Sequence, residues 1–449
     1  MDNKTMLTDL YQLTMNAAYY DNDKNTEATF DLFIRKLPTD WGYYVAGGIE
    51  EAIDYLTDVK FEKEDIEYLR SKNLFSDEFL ENLRDFRFEG EVYSVKEGTP
   101  IFPNEPIMRV TARRDQAQFV ETALLNIINY QTMIASKASR VVNSAGDAKV
   151  VDFGLRRAQG EDAGMKGARA AFIGGAVATS NVKAGMEYDI PISGTHAHSF
   201  VMSFPDELDA FRAYVKTFPD NATLLIDTYD TANGARNAAI VAKELEKKGK
   251  RLGAVRLDSG DLGDLSLIVR EILDERGLDY VKILASNDLN EYKIDEFRKN
   301  GAEIDGYGVG TELITAKPVA AIPGVYKLVE DDYGAKIKLS SGKMTLPGKK
   351  NIFRRYENGE YVRDIIALDN EKISGTPLLE KVIEDGERIS ERMNVKDIRS
   401  YSMSEVSKLP EYLKDVRVKE SYPVSTTVQL NGLVQDLSMK YGKEMAIAK

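Results

Sequence analysis

The sequence contains no cysteine. Disulfides, thiolate metal sites and cysteine nucleophiles are therefore excluded together, and such a chain suits a reducing compartment. Histidine is almost absent: of 449 residues only His196 and His198 are imidazoles, one alanine apart. A basic excess is lacking too. The formal charge of −13 argues against a general nucleic-acid binder, because a phosphate backbone is held by a basic face. A local cationic pocket for a small anion stays open. No apolar run approaches the roughly 18 residues of a membrane span, and MDNKTMLTDLYQLTM lacks the basic-then-apolar order of a signal peptide. These absences predict a soluble, cytoplasmic protein with neither nucleic acid nor membrane as partner.

What is present is ordinary globular composition over a length that suggests two or three domains. No tandem repeat or low-complexity linker marks the borders, so they follow changes of pattern. Residues 1–117 mix short strands and helices: TFDLFIRKLP alternates like a strand, while EKEDIEYLRSKN and SDEFLENLRDF have helical spacing. They predict an N-terminal α+β domain. From about Gln116 a long helix runs to Gly146, placed as a C-cap. It leads a catalytic domain, 118–335. KIKLSSGKMTLPGKKNIFRRY predicts strands around a basic Pro-Gly turn, so 336–449 forms a C-terminal domain or returns to the first.

Between about 147 and 320, short apolar strands alternate with amphipathic helices, which predicts parallel βα units. Each strand stays apolar until its C-terminal end and then releases a polar cluster: DFGLRR, GTHAHS, DTYD, RLDSGD, SND, GVGT. In a βα barrel the site is assembled from these ends, whereas a doubly wound sheet concentrates ligands at one switch point. Six polar ends favour the barrel.

The clusters carry chemistry. His196 and His198 would share a face if they lay on one strand, which is one way to bind a metal. Such sites normally use further histidines, which this chain lacks, so carboxylates would have to complete the shell. Otherwise one imidazole accepts a phosphoryl group, with Gly194, Thr195 and Ser199 donating to the anion, or both are merely packed. Arg256 in RLDSGD can grip a carboxylate or phosphate bidentately, and Asp258 beside it can hold sugar hydroxyls or Mg²⁺. As a surface loop the same turn would be only salt-bridged. The glycines of GYGVGT leave backbone N–H groups open to a phosphate, though such turns also serve packing. Arg156 and Arg157 end another strand, where they face an anion or simply water. Several anion sites beside carboxylates suit phosphoribosyl chemistry better than peptide, lipid or redox chemistry.

Taken in order, TMLTDLYQLTM, DFGLRRAQG, SGTHAHSF, LLIDTYDT, VRLDSGDL, ASNDLNE, GYGVGTELIT and KMTLPGKKNIFR resemble the nicotinate phosphoribosyltransferase family, from residue 5 to past 350. The resemblance implies an irregular TIM-like α/β barrel with a flanking α+β sandwich-like domain, and a homodimer with shared active sites. It implies that nicotinate, phosphoribosyl pyrophosphate (PRPP), ATP and water give nicotinate mononucleotide, pyrophosphate, ADP and phosphate, with Mg²⁺ on the pyrophosphate. The family pattern Gly-Thr-x-Ala-His-Ser selects His198 as the phosphohistidine and leaves His196 at a variable position, incidental. Asp227 would stabilise charge near the ribosyl group, Asp258 would lie near ribose or base, and Arg256 would hold nicotinate or phosphate. Tyr11 would stack on the pyridine ring, with Phe153 a second candidate. Arg156 and Arg157 would meet anionic groups, and Gly308, Gly310 and Thr311 the 5′-phosphate. Ser286 and Asn287 complete the expected substrate-binding set, and no residue is assigned to a metal. Nicotinamide or quinolinate as the base, and a His-x-His hydrolase, are the alternatives.

Overall fold

The computed structural model describes residues 4–340 and 342–441. They form two compact units: the residues up to Met133 together with those from Ala321 on, and Ile134–Ala320.

Within Ile134–Ala320 the strands are β1 (Lys149–Asp152), β2 (Ala178–Thr179), β3 (Thr223–Leu225), β4 (Ala254–Leu257), β5 (Lys282–Ser286) and β6 (Gly306–Val309). The helices are α1 (Glu161–Ile173), α2 (Val182–Tyr188), α3 (His198–Met202), α4 (Glu207–Thr217), α5 (Thr231–Glu246), α6 (Leu262–Asp274), α7 (Glu291–Lys299) and α8 (Thr311–Ile314). All strand pairs are parallel, in the order β2-β1-β6-β5-β4-β3. That is the sequence of strands met on going round a barrel, cut once between β2 and β3. The closed barrel expected from the sequence is not observed, because β2 and β3 do not pair. β2 has only two residues, and the chain that fills the gap carries Pro191, which has no N–H to give a ladder.

Apolar strand residues such as Val150, Leu224, Val255, Ile283 and Val309 are buried, each stabilising the fold by about 1.5–3 kcal/mol. Small residues let the helices approach the sheet closely. A Cβ on Gly234, in the first turn of α5, would fall 1.9 Å from the Ile226 carbonyl oxygen, so only glycine fits there.

Several polar residues after the strands are helix caps. Asp230, Asp261 and Asn290 accept backbone N–H bonds at the starts of α5, α6 and α7, worth about 1 kcal/mol each. Two of the clusters read from the sequence therefore divide: the last residues of DTYD and RLDSGD start helices, and their first members are left for other work.

The other unit is built on a seven-stranded antiparallel sheet in which strand 27–34 lies between strand 324–331 and strand 106–113. Segments about 300 residues apart in the sequence thus pair in one sheet. Strand Glu27–Ile34 is not half solvated, as its alternation predicts. Thr29 and Asp31 are buried as well, the first bonded to Thr111 at 2.9 Å and the second paired with Lys350 at 2.9 Å. The strands expected across 336–356 reduce to one, Lys350–Glu357, among the described residues. The long helix appears as Arg114–Phe119 and Glu121–Ala145, and Gly146 ends it at φ +61°. Among the described residues no helix is long and apolar enough to cross a membrane.

One buried charge cluster holds α7 in place. Glu291, fully buried at its first position, pairs with Lys137 and, at 3.2 Å, with Arg140 on the long helix, while Lys137 also donates to the Lys317 carbonyl at 2.8 Å. Burial pulls the Lys137 ammonium below its ordinary pKa, and Glu291 pulls it back. Removing one partner leaves uncompensated charge in the interior, so Glu291→Ala should lose about 3–5 kcal/mol. Denaturant unfolding measures this; a loss below about 1 kcal/mol, the range of an exposed pair, would show that the cluster is not holding the fold.

Candidate active site

The strand ends open on one cavity of about 450 Å³. β1 supplies Phe153 and, from the 3₁₀ turn Leu155–Arg157, the pair Arg156 and Arg157. The chain between β2 and β3 supplies Gly194, Thr195 and His198, β4 supplies Arg256 and Asp258, β5 supplies Ser286 and Asn287, and β6 supplies Gly308, Gly310 and Thr311. Thirteen of the sixteen residues expected from the sequence therefore meet on one wall system.

The other three lie elsewhere. Asp227, just beyond β3, is buried and off the lining; its Oδ2 accepts from the Asp258 backbone N–H at 2.7 Å and from Ser259 Oγ at 2.6 Å. It holds the turn that presents Asp258, and its Oδ1 has no partner among the described residues. Ser199 is exposed on α3 and does not line the cavity. Tyr11 belongs to the other unit, on helix Leu10–Asp21, with its ring 46% exposed.

Four residues that were not singled out, or were set aside, also line the cavity: Ser180, His196, Ala197 and Asp288. Asp288 was legible as the last residue of SND. Ser180 ends so short a strand that nothing in the sequence marks it. Asp152 was missed as well. It is buried at the end of β1 and ties it to β2, accepting from Thr179 Oγ1 at 2.7 Å and from the Gly154 N–H at 2.8 Å. Burial raises its pKa and these two bonds oppose the rise.

His198 opens α3. Its Nδ1 lies 3.2 Å from Thr228 Oγ1, and its Nε2 lies 3.6 Å from Asp258 Oδ2. Asp258 is itself held, because Ser286 donates to its other oxygen. An imidazole with a hydroxyl on one nitrogen and a carboxylate near the other has a set orientation. Arg256 donates to the His196 carbonyl at 3.1 Å, while its Nε has no partner among the described residues. Burial lowers the guanidinium pKa, and Asp258 and Asp227 counter that. An anion in the cavity would meet a cation whose hydrogen-bonding capacity is only partly used.

The two histidines do not converge on a metal. They lie on no common strand: His198 begins a helix, and His196 is buried with Nε2 accepting the Leu225 N–H at 3.2 Å. Among the described residues no cluster of three or more His, Asp or Glu is arranged to hold an ion. Gly308 has a packing reason besides any phosphate: a Cβ there would stand 2.4 Å from the Phe153 ring. What remains is a cavity with three arginines, carboxylates at Asp258 and Asp288, several hydroxyls and one oriented imidazole. That set suits a sugar bearing more than one anionic group.

The chain is similar to known proteins of one family. Three family models match in chain order: the nicotinate phosphoribosyltransferase N-terminal domain over residues 6–129, the nicotinate phosphoribosyltransferase family over 148–318, and its C-terminal domain over 373–434. The chain is 42% identical over 431 residues to nicotinate phosphoribosyltransferase pncB2 of Mycobacterium tuberculosis, covering 95% of this chain and 92% of the relative. It is 42% identical over 456 residues to nicotinate phosphoribosyltransferase of Bacillus subtilis, covering 94% and 93%. Among solved structures, human nicotinic acid phosphoribosyltransferase superposes with a TM-score of 0.85 at 27% identity, covering 96% of this chain and 99% of that one. Nicotinate-nucleotide pyrophosphorylase from Pyrococcus furiosus gives a TM-score of 0.73 at 26% identity, covering 90% and 95%.

The buried imidazole generates a pH prediction. Desolvation, chiefly, with Arg256 and His198 adding, pushes the His196 pKa from 6.5 down to about 4. Between those values the unfolded chain binds a proton that the folded one refuses, so this ring's contribution to stability falls as pH drops from 6.5 towards 4. Urea unfolding across that range should therefore slope less steeply in His196→Phe than in the parent. Parallel slopes would show that the ring titrates alike in both states.

Proposed function

The chain belongs to the nicotinate phosphoribosyltransferase family, and from that premise we propose that its cavity joins nicotinate to the phosphoribosyl group of PRPP, a step of NAD biosynthesis or salvage. The observation that carries the reading is the convergence of Arg156, Arg157 and Arg256 with Asp258 and His198 on one rim.

The pyridine nitrogen attacks C1′ of PRPP, its lone pair forms the new C–N bond, and pyrophosphate leaves with the electrons of the broken C–O bond. Positive charge grows on the ribosyl ring as this happens, so the protein's work is positioning and electrostatics. Asp258 lines the cavity and can face that charge; Asp227 fixes Asp258 from below and retains a buried oxygen of its own. Arg256 meets the nicotinate carboxylate or a phosphate, Arg156 and Arg157 the remaining anionic groups, and Gly310 and Thr311 the 5′-phosphate. Phe153, on the lining, offers a face to the pyridine ring. Mg²⁺ keeps few protein ligands and takes phosphate oxygens, so Asp258 and Asp288, both on the lining, would be the carboxylates to hold it, and it would neutralise the leaving pyrophosphate.

ATP enters through His198. With Asp258 facing Nε2, the proton rests there and Nδ1 is left with its lone pair. Attack by Nδ1 on the γ-phosphorus forms the N–P bond as ADP departs, and water later releases phosphate. Coupling of this cycle to product formation requires that the two phosphorylation states bind PRPP and pyrophosphate differently. The same reading extends to a homodimer with shared sites, in which exposed Tyr11 stacks on the pyridine ring, and to an irregular TIM-like barrel, supported by the cyclic strand order. A cytoplasmic setting suits the chain without cysteine.

Two results test this. Arginine gains far more from a carboxylate than from an amide, so nicotinate should be turned over in strong preference to nicotinamide with PRPP; equal turnover would overturn the assignment of the base. Incubation with γ-labelled ATP should leave an acid-labile, base-stable label on the protein. His198→Asn should abolish both label and ATP stimulation while leaving slow ATP-independent transfer. A label that survives in His198→Asn places the phosphoryl group elsewhere.

A further inference from the structure

The cut between β2 and β3 is bridged in an unusual way. On one side the bridge is backbone: Thr179 N–H donates to the Pro191 carbonyl at 3.0 Å, and Ser193 N–H donates to the Thr179 carbonyl at 3.0 Å. On the other side, among the described residues, no backbone rung reaches β3. The next N–H along β3, that of Ile226, donates inward to the Arg256 carbonyl at 3.1 Å. Strand geometry then turns the Leu225 N–H outward, to the cut edge. Leu225 is wholly buried, and its N–H is taken by His196 Nε2 at 3.2 Å.

We infer that His196 is a positioning residue: its imidazole stands where a neighbouring strand's carbonyl would be, completes the rim between β2 and β3, and so fixes both His198 and Arg256. This rests on the phosphoribosyl reading of the cavity, and deepens it. The ring is boxed by Phe200 of α3 at 5.2 Å and by Tyr214 and Phe211 of α4 at 4.7 and 6.4 Å between centroids. Its own carbonyl accepts the Arg256 guanidinium at 3.1 Å. One residue thus binds β3 through its side chain and a cavity arginine through its main chain, two positions before the oriented imidazole of His198. To accept an N–H the ring must be neutral with its proton on Nδ1, and burial that drives its pKa to about 4 keeps it neutral. Loss of the acceptor would leave the buried Leu225 N–H unsatisfied. The displacement would fall on residues 194–198, which line the cavity.

Two substitutions separate positioning from packing. His196→Phe keeps an aromatic ring in the box and removes the acceptor. His196→Gln places an amide oxygen near the position of Nε2. With PRPP and nicotinate, His196→Phe should raise the KM for PRPP and lower kcat/KM by on the order of tenfold or more, as expected for slightly misplaced groups. His196→Gln should stay within about threefold of the parent, a small loss of transition-state binding. Wild-type kinetics in His196→Phe, or equal impairment of both variants, would overturn the inference.

A second measurement reads the parent's own imidazoles and does not depend on the substrate. The parent, labelled with ¹⁵N-histidine, has only two imidazoles. At neutral pH one should show the Nδ1–H tautomer with an Nε2 that accepts a hydrogen bond, and that signal should be absent from His196→Gln. If neither ring is in the Nδ1–H form, the backbone-surrogate role is excluded. If the parent fails to convert any pyridine with PRPP, the functional reading falls, while the tautomer still decides the role of His196.

Discussion

Parallel pairing of β2, β1, β6, β5, β4 and β3 points every strand of Ile134–Ala320 the same way, so every C-terminal end opens on the same rim. The register sets which residues become neighbours there. Leu257 lies opposite Ala285, and Ser286 opposite Gly308. Asp258 therefore emerges beside Ser286, which holds its carboxylate, and the Gly308 position leaves room for the Phe153 ring. A slip of one residue would exchange the two faces of a strand, turning an aspartate into the helices and an aliphatic side chain into the cavity.

The same rim concentrates charge that the fold must tolerate. Arg256 is partly stripped of water, and its cationic form persists because Asp258 and Asp227 lie near it. Asp227 in turn is buried, with two donors on a single oxygen. Arranging groups for an anionic sugar thus draws on the same interactions that keep them folded, and the supporting residues matter as much as those that line the cavity. Caps at Asp230 and Asp261 absorb the last polar residue of two clusters, which separates structural from chemical aspartates within the same few positions.

Much of this was readable beforehand. Apolar runs ending in DFGLRR, DTYD, RLDSGD, SND and GVGT located five strands and their polar ends, because strand period and burial are local properties. What was not readable depends on contacts distant in sequence. His196 looked incidental, since nothing local says that an imidazole will meet a backbone N–H 29 residues away. Asp227 looked like a lining residue, but its carboxylate is engaged by the turn after β4. The barrel was expected to close; the two-residue β2 and Pro191 leave a seam that a periodicity argument does not see. Strand 27–34 has a polar face that is buried rather than wet, because Lys350 arrives from far along the chain to pair with Asp31.

The central claim is that this rim is built to hold the phosphoribosyl donor, with Arg256 as a principal contact. Calorimetric titration of the purified protein with PRPP and Mg²⁺, beside the same titration of Arg256→Leu, tests it without any turnover. The account predicts saturable binding by the parent at one site per chain, and a loss of affinity on the order of tenfold or more in the variant, since a charge-assisted contact to an anion is removed. Equal affinity in both proteins, or no binding by the parent, would contradict it.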